Sequence, residues 1–195
     1  MSRTGRIVLL NGTTSSGKSS IARELLARLD PPWFHLAVDA FGAMRSVPAT
    51  DRLTADEWPQ VARRTRAGFH RAVAGMAAAG NDVVADHVLS EPWRLADLLD
   101  VFAPYDVLFV GVRCSLAELE RRERARGDRQ PGAARAQYEV VHAHGRYDLE
   151  VDSGVLDAAA CADRIAAALA EPATGPGAFA ALRAERHPRS LNVKP

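Results

Sequence analysis

Short, continuous apolar runs alternate along this chain with longer segments whose apolar residues return every three or four positions. Residues 6–11 (Arg-Ile-Val-Leu-Leu-Asn) open the pattern. An apolar run without polar alternation, closed by a glycine loop, predicts a strand covered on both faces. A loop follows from Gly12 to Gly17, then a helix from about Lys18 to Leu29, which Asp30-Pro31-Pro32 stops. Residues 34–38 predict a second strand with Asp39 at its end, and Val83–Asp86 a third. Between them, Thr54-Ala-Asp-Glu57 is a capping box that opens a long helix to about Ala79, with Gly80 as its stop. Ser90-Glu91-Pro92 starts a short helix that ends before Pro104, and Val107–Val112 is the clearest strand. Ser115-Leu-Ala-Glu118 is a second capping box, for a helix to about Arg126. Further helices are predicted over 133–142 and 157–170, with a fifth strand over 147–151 between them.

Strands alternating with helices predict a parallel, doubly wound α/β sheet with helices on both faces. At 195 residues the chain is expected to be one domain, spanning 1–171, with a lid at about 121–140. After Glu171 the composition turns to Pro172, Gly175, Pro176 and Gly177, and residues 172–195 read as a surface tail or short helix.

Charge narrows the partners. Lys+Arg 25 against Asp+Glu 24 leaves +1, so no electrostatic footprint for nucleic acid or an anionic membrane is expected. No apolar run reaches the length of a membrane span or a signal-peptide core, and the two cysteines, Cys114 and Cys161, make no disulfide framework. A reducing cytoplasm is the expected location. Lysine occurs only at Lys18 and Lys194. That excludes an Asn-Lys-x-Asp guanine-reading segment and the early-strand lysine of a protein kinase.

Gly12-Thr13-Thr14-Ser15-Ser16-Gly17-Lys18-Ser19 matches G-x-x-x-x-G-K-[ST] between a predicted strand and a predicted helix. Glycines let the backbone curl so that successive N–H groups point at phosphate oxygens, and the helix adds its positive end. Lys18 brings a charge to the outer phosphates. Ser19 offers a hydroxyl to Mg²⁺, and Ser20 continues the loop into the helix. ATP and Mg²⁺ are the cofactors expected.

Ligands of open parallel sheets bind beyond the carboxyl ends of the strands, where Asp39 and Asp86 fall. Asp39 is the candidate base for an acceptor hydroxyl, or else a helix-capping carboxylate. Asp86 is the candidate to hold Mg²⁺ or to touch the acceptor. Arg126 and Arg129 flank Gly127 in an arginine-dense stretch that resembles a hinged lid. Such arginines stabilise the charge spread over a transferring phosphoryl group. Arg121, Arg122 and Arg124 share their helix with Glu118, Glu120 and Glu123 and read as a solvated face. Phe41, Met44, Trp58 and Phe69 could line an apolar acceptor pocket or simply be core.

Taken together, these segments resemble the chloramphenicol 3-O-phosphotransferase family of P-loop kinases. The residues that carry the resemblance are Leu9-Leu10-Asn11-Gly12 with the loop, Ala37-Val38-Asp39, Gly111-Val112-Arg113-Cys114, Ala125-Arg126-Gly127-Asp128-Arg129, Gln137 with Val141-His142, and 147–152. The resemblance implies a P-loop NTPase fold like that of shikimate and adenylate kinases, with a five-stranded sheet ordered 2-3-1-4-5. It also implies ATP-Mg as donor and a small-molecule alcohol as acceptor, chloramphenicol or another antibiotic or secondary metabolite among them. The family's base corresponds to Asp39, its lid arginines to Arg126 and Arg129, and its fourth-strand arginine to Arg113. Between Asp39 and about Gly80 little aligns, so the acceptor's identity does not carry over. Two alternatives stay open. A nucleoside or nucleotide kinase on the same fold could use Arg63, Arg64 and Arg66 to grip its acceptor. A P-loop module could bind ATP without catalysis. Oligomeric state is open as well.

Overall fold

A computed structural model describes residues 3–127, 132–171 and 175–186 of the chain. The first apolar run forms β1 (Ile7–Asn11), buried at every position. A strand with no solvated face belongs at the centre of a covered sheet, and β1 lies there. The order is β2 (Trp33–Ala37), β3 (Asp82–His87), β1, β4 (Val107–Arg113), β5 (Leu149–Asp152), with every pair parallel. This is the 2-3-1-4-5 sheet that the family resemblance implied.

Alternate residues of a strand face opposite sides, so each strand feeds two cores. Ile7, Leu9, Val83, Ala85 and Phe109 pack beneath α4 (Glu57–Ala78) and α5 (Pro92–Val101). Val8, Leu10, Val84, Val110 and Val112 pack beneath α1 (Lys18–Leu26) and α8 (Ala158–Ala170). Between β2 and α4 the chain makes two short helices, α2 (Val38–Ala43) and α3 (Val47–Thr50). Beyond β4 come α6 (Leu116–Arg126) and α7 (Ala133–Tyr138). The first capping box forms in both directions, Thr54 N–H donating to Glu57 Oε2 at 2.9 Å and Glu57 N–H to Thr54 Oγ1 at 3.3 Å; the second makes the Glu118 N–H to Ser115 Oγ bond at 3.4 Å, while the Glu118 carboxylate turns to Arg121 and Arg122.

The structure departs from the sequence reading in four places. Asp39 is not the end of a strand. It lies in the first turn of α2, because β2 stops at Ala37. The helix expected over 133–142 ends at Tyr138 and continues as turns. Glu123 does not belong to a solvated face: it is buried, and its carboxylate accepts the N–H groups of Gly132 at 2.8 Å and Ala134 at 3.0 Å, tying α6 to the start of α7.

The fourth departure is at the C-terminal end. The segment read as a surface tail or short helix forms α9 (Ala178–Arg186), whose Ala178 and Phe179 are buried in the core under β4. Phe179 stacks on Phe102 and meets Phe109 edge-on at 5.1 Å. A single nine-residue helix whose apolar residues are mostly alanine, following a Pro/Gly loop, does not say which surface it packs against, so only the packed sheet shows its role.

Candidate active site

The loop after β1 curls where its residue types permit. Gly17 has φ +82°, in the left-handed region, and a Cβ at Gly12 would come within 2.6 Å of Val112 O. Only glycine fits either place without strain. Ser15 also has positive φ (61°), and its buried hydroxyl has no hydrogen-bond partner. Lys18 is the first residue of α1 and lies folded over the loop, its Nζ donating to Thr13 O at 2.7 Å. These features form a cradle with a charge across its mouth and an orphaned hydroxyl inside, and they suit a phosphate chain that would supply the missing acceptors.

Strand register brings the carboxylates to the cradle. Asp86 pairs with Leu10 on one side and Ala37 on the other, at the carboxyl end of the sheet. Its Oδ2 accepts the Ser19 hydroxyl at 2.9 Å and contacts His35 Nε2 at 2.8 Å. Burial alone would push the Asp86 carboxyl up. The His35 hydrogen bond, the Lys18 charge and the Ser19 hydroxyl outweigh it and hold the group below the usual carboxylate range, so it is ionised at neutral pH.

A cleft of about 400 Å³ joins these groups. Thr14, Ser15, Gly17, Lys18, Ser19 and Ser20 form one wall, Asp39, Ala40 and Ala37 another, and Asp86, His35 and Arg126 complete it. Arg126, the last residue of α6, therefore faces Lys18 and Asp39 across the cleft. Arg129 lies outside the described residues. A second cavity of about 470 Å³ flanks the far side of the loop, between Thr13, Arg113, Cys114, Tyr138 and His142. A larger cavity, about 720 Å³, lies away from this chemistry, between Arg6, Tyr105, Asp106 and Phe179.

Side chains from later in the chain brace the loop. Gln137 of α7 accepts the Thr14 N–H on its Oε1 at 2.8 Å. Ser153, after β5, donates to Ser16 O at 2.8 Å, and Arg122 holds Ser153 O at 2.7 Å. Asn11 accepts Leu89 N–H and donates to Val141 O and Tyr147 Oη, so one amide links β1 to the segments after β3 and α7. Tyr147 Oη also meets His142 Nδ1 at 2.5 Å. Burial pulls His142 down to about 4, so it is neutral, and pushes the Tyr147 phenol up, so it keeps its proton.

Of the residues singled out in the sequence, Thr14, Ser15, Gly17, Lys18, Ser19, Ser20, Asp39, Asp86 and Arg126 share one cleft. Gly12, Thr13 and Ser16 shape the loop behind it. Met44 is 77% exposed and does not line the cleft, and Phe41 packs edge-on against the buried Phe69 at 5.7 Å, as core. Trp58 is an exposed ring beneath the Arg45 guanidinium. Arg113 pairs with the exposed Glu150 beside Tyr147. Both cysteines are buried, and burial pushes both thiols up, which leaves neither poised as a nucleophile.

Sequence reasoning missed His35. A lone histidine in an apolar strand carries no signal until register sets it beside Asp86. The role of Gln137 was equally hidden, because its partner is 123 residues away.

The chain has relatives among known proteins. At the level of fold it is similar to the APS kinase of Mycobacterium tuberculosis solved with AMPPNP and APS (TM-score 0.65, 18% identity, 87% of this chain and 99% of that one). It is also similar to the tunicamycin resistance protein of Deinococcus radiodurans (TM-score 0.63, 18% identity, 88% and 99%). In sequence it is 33% identical over 172 residues to a Mycobacterium tuberculosis H37Rv protein provisionally named an O-phosphotransferase, covering 76% of this chain and 75% of the relative. No helix among the described residues is long and apolar enough to cross a membrane. The sequence profile of the chloramphenicol phosphotransferase-like proteins matches residues 5–170, and with the P-loop kinase sheet and the loop already in place, the chain belongs to that family.

Proposed function

We propose that this protein transfers the γ-phosphoryl group of ATP to a hydroxyl of a small molecule. The observation that carries this reading is the convergence of Lys18, Ser19, Asp86, Asp39 and Arg126 on one cleft. The loop N–H groups and Lys18 hold the donor's phosphates, and the cavity beside Thr13 and Arg113 leaves room for the rest of the nucleotide. Mg²⁺, when bound, neutralises phosphate charge and orients the chain for in-line displacement; Ser19 and the ionised Asp86 are the oxygen ligands present for it, directly or through water. Asp39 takes the acceptor's proton as the new O–P bond forms and the bond to the ADP oxygen breaks. Arg126 stabilises the charge on the transferring group, and Arg129 is proposed to join it as the lid, residues 121–140, closes.

The test is isotope transfer from γ-labelled ATP, screened over chloramphenicol, aminoglycosides, nucleosides, nucleoside monophosphates and sugars. At least one alcohol should become labelled, and Asp39→Asn should lower that turnover by about 10²–10⁴. ATP binding without labelling of any alcohol would instead indicate a non-catalytic module, and an Asp39→Asn protein with full turnover would remove the proposed base.

A further inference from the structure

Three guanidiniums lie on segments that border the cleft: Arg45 just after α2, Arg66 on α4, and Arg94 on α5, whose Nη1 bonds the carbonyl of the cleft-lining Val88. Arg66 on α4 is half-buried and makes no hydrogen bond or ion pair among the described residues. The charges that act on it are those of Arg94, Glu91, Asp39 and Arg45. Arg94 is buried: it donates to Val88 O at 2.7 Å and Ser90 Oγ at 2.9 Å and pairs with Glu91, yet its Nε is enclosed with no acceptor. The Arg45 Nε is enclosed in the same way, and its guanidinium lies 4.8 Å from the Trp58 ring centroid. Glu91 is already bound by Arg94 and by the Trp93 indole N–H. Asp39, the other carboxylate that acts on Arg66, is the proposed base.

Buried N–H donors without acceptors are costly, and clustered guanidiniums repel one another unless an anion joins them. Burial, and after it the neighbouring Arg94 charge, pull Arg66 below the usual arginine value, which is the mark of a cation short of partners. A carboxylate, phosphate or sulfate group offers a guanidinium two parallel acceptors, the geometry arginine binds best.

We infer that the acceptor alcohol carries an anionic group and that Arg66, with Arg45 and Arg94 around it, binds that group and places the hydroxyl at Asp39. The inference rests on the phosphotransferase reading of the cleft but is testable without turnover. Arg63 and Arg64 do not share the role: Arg63 covers the Trp93 ring at 4.2 Å, and both are exposed.

Trp58 and Trp93 flank the cluster and report on it. Sulfate is titrated at constant ionic strength, with saturating Mg-ADP filling the donor loop, while tryptophan fluorescence is followed. A saturable change is expected, with a midpoint at least about tenfold higher in Arg66→Gln and partly restored in Arg66→Lys. Arg45→Gln should weaken it as well. No saturable change, a midpoint unaltered by Arg66→Gln, or a signal abolished by Mg-ADP would overturn the inference; the last would assign the arginines to the donor. In the transfer assay, gluconate should outrun glucose, or a nucleoside monophosphate its nucleoside, by about tenfold in kcat/KM, and Arg66→Gln should erase the preference through KM. A neutral acceptor used equally well would overturn it. Arg66-dependent sulfate binding with no transfer to any alcohol would uphold the anion site and overturn the phosphotransferase reading instead.

Discussion

His70 Nε2 of α4 and His87 Nε2 of β3 lie 2.9 Å apart, both fully buried. Val88 N–H donates to His87 Nδ1 at 2.7 Å, so the proton of a neutral His87 is on Nε2. His70 then accepts on Nε2 and donates from Nδ1 to Asp97 at 2.6 Å. This is the one neutral arrangement that satisfies all three contacts, and Arg71 closes the chain on Asp97 at 2.9 Å.

Neither ring can take a second proton without losing that order. Burial holds both below the usual histidine value, His87 furthest, since His70 and Arg94 stand beside it. Groups depressed in the folded state but ordinary in the unfolded chain give stability that is present above about pH 6.5 and lost as the pH falls below it. His142, drawn down to about 4, adds to the loss in the same window. The depressed carboxyls of Asp82, Asp86 and Asp97 act only at lower pH, near the ordinary aspartate value. We therefore expect the urea midpoint to fall between pH 6.5 and 5, each buried histidine contributing up to about 1.4 kcal/mol per unit. His87→Gln should flatten the slope, and a midpoint constant from pH 7 to 5 would contradict the assignment.

Lys18→Ala should weaken Mg-ATP binding and lower turnover by about 10²–10⁴, with little change in the urea midpoint. Among its folded-state contacts are Thr13 O at 2.7 Å and Ser16 Oγ at 3.5 Å, both within the loop itself. Calorimetric titration with Mg-ATP decides it, and unaltered affinity would separate the lysine from the donor.

Gln137→Ala should cost about 0.5–1.5 kcal/mol in the nucleotide-free protein, the worth of one hydrogen bond to a buried amide. The contact to Thr14 N–H joins α7 to the loop, so hydrogen exchange of the Thr14 amide should quicken in the same variant. Unaltered exchange would mean that α7 does not brace the loop.

Phe179→Ala should destabilise the fold by about 3 kcal/mol or more, as expected of an aromatic ring removed from a core. The ring is enclosed by Phe102 and Phe109. A chain ended at residue 171 should show a comparable loss, and a loss under about 1 kcal/mol would return α9 to the surface.

At Gly111, an added Cβ would come within 2.7 Å of the Tyr147 ring. Gly111→Ala should therefore cost about 1–3 kcal/mol and loosen the Asn11–Tyr147–His142 connection, visible as a lowered melting temperature. An unaltered melting temperature would show that the ring has room to move.

Much of the architecture was legible in one dimension, because the relevant physics is local. A strand buried on both faces must be largely apolar, as Ile7–Leu10 is, and a helix start must satisfy its N–H groups, as Thr54 and Ser115 do with Glu57 and Glu118. The phosphate cradle was legible for the same reason, since the curl at Gly12 and Gly17 depends on backbone freedom within eight residues. Tertiary structure alone decided which distant groups meet. Parallel register set His35 beside Asp86, packing drew His70 onto His87, and α9 reached the core through Phe179. It also brought the charges of Arg45 and Arg94, from the loop after α2 and from α5, to bear on Arg66 of α4. Charge, burial and hydrogen bonding act through space over a few ångströms, and the spacing of residues along a chain carries no record of those distances until the sheet has formed.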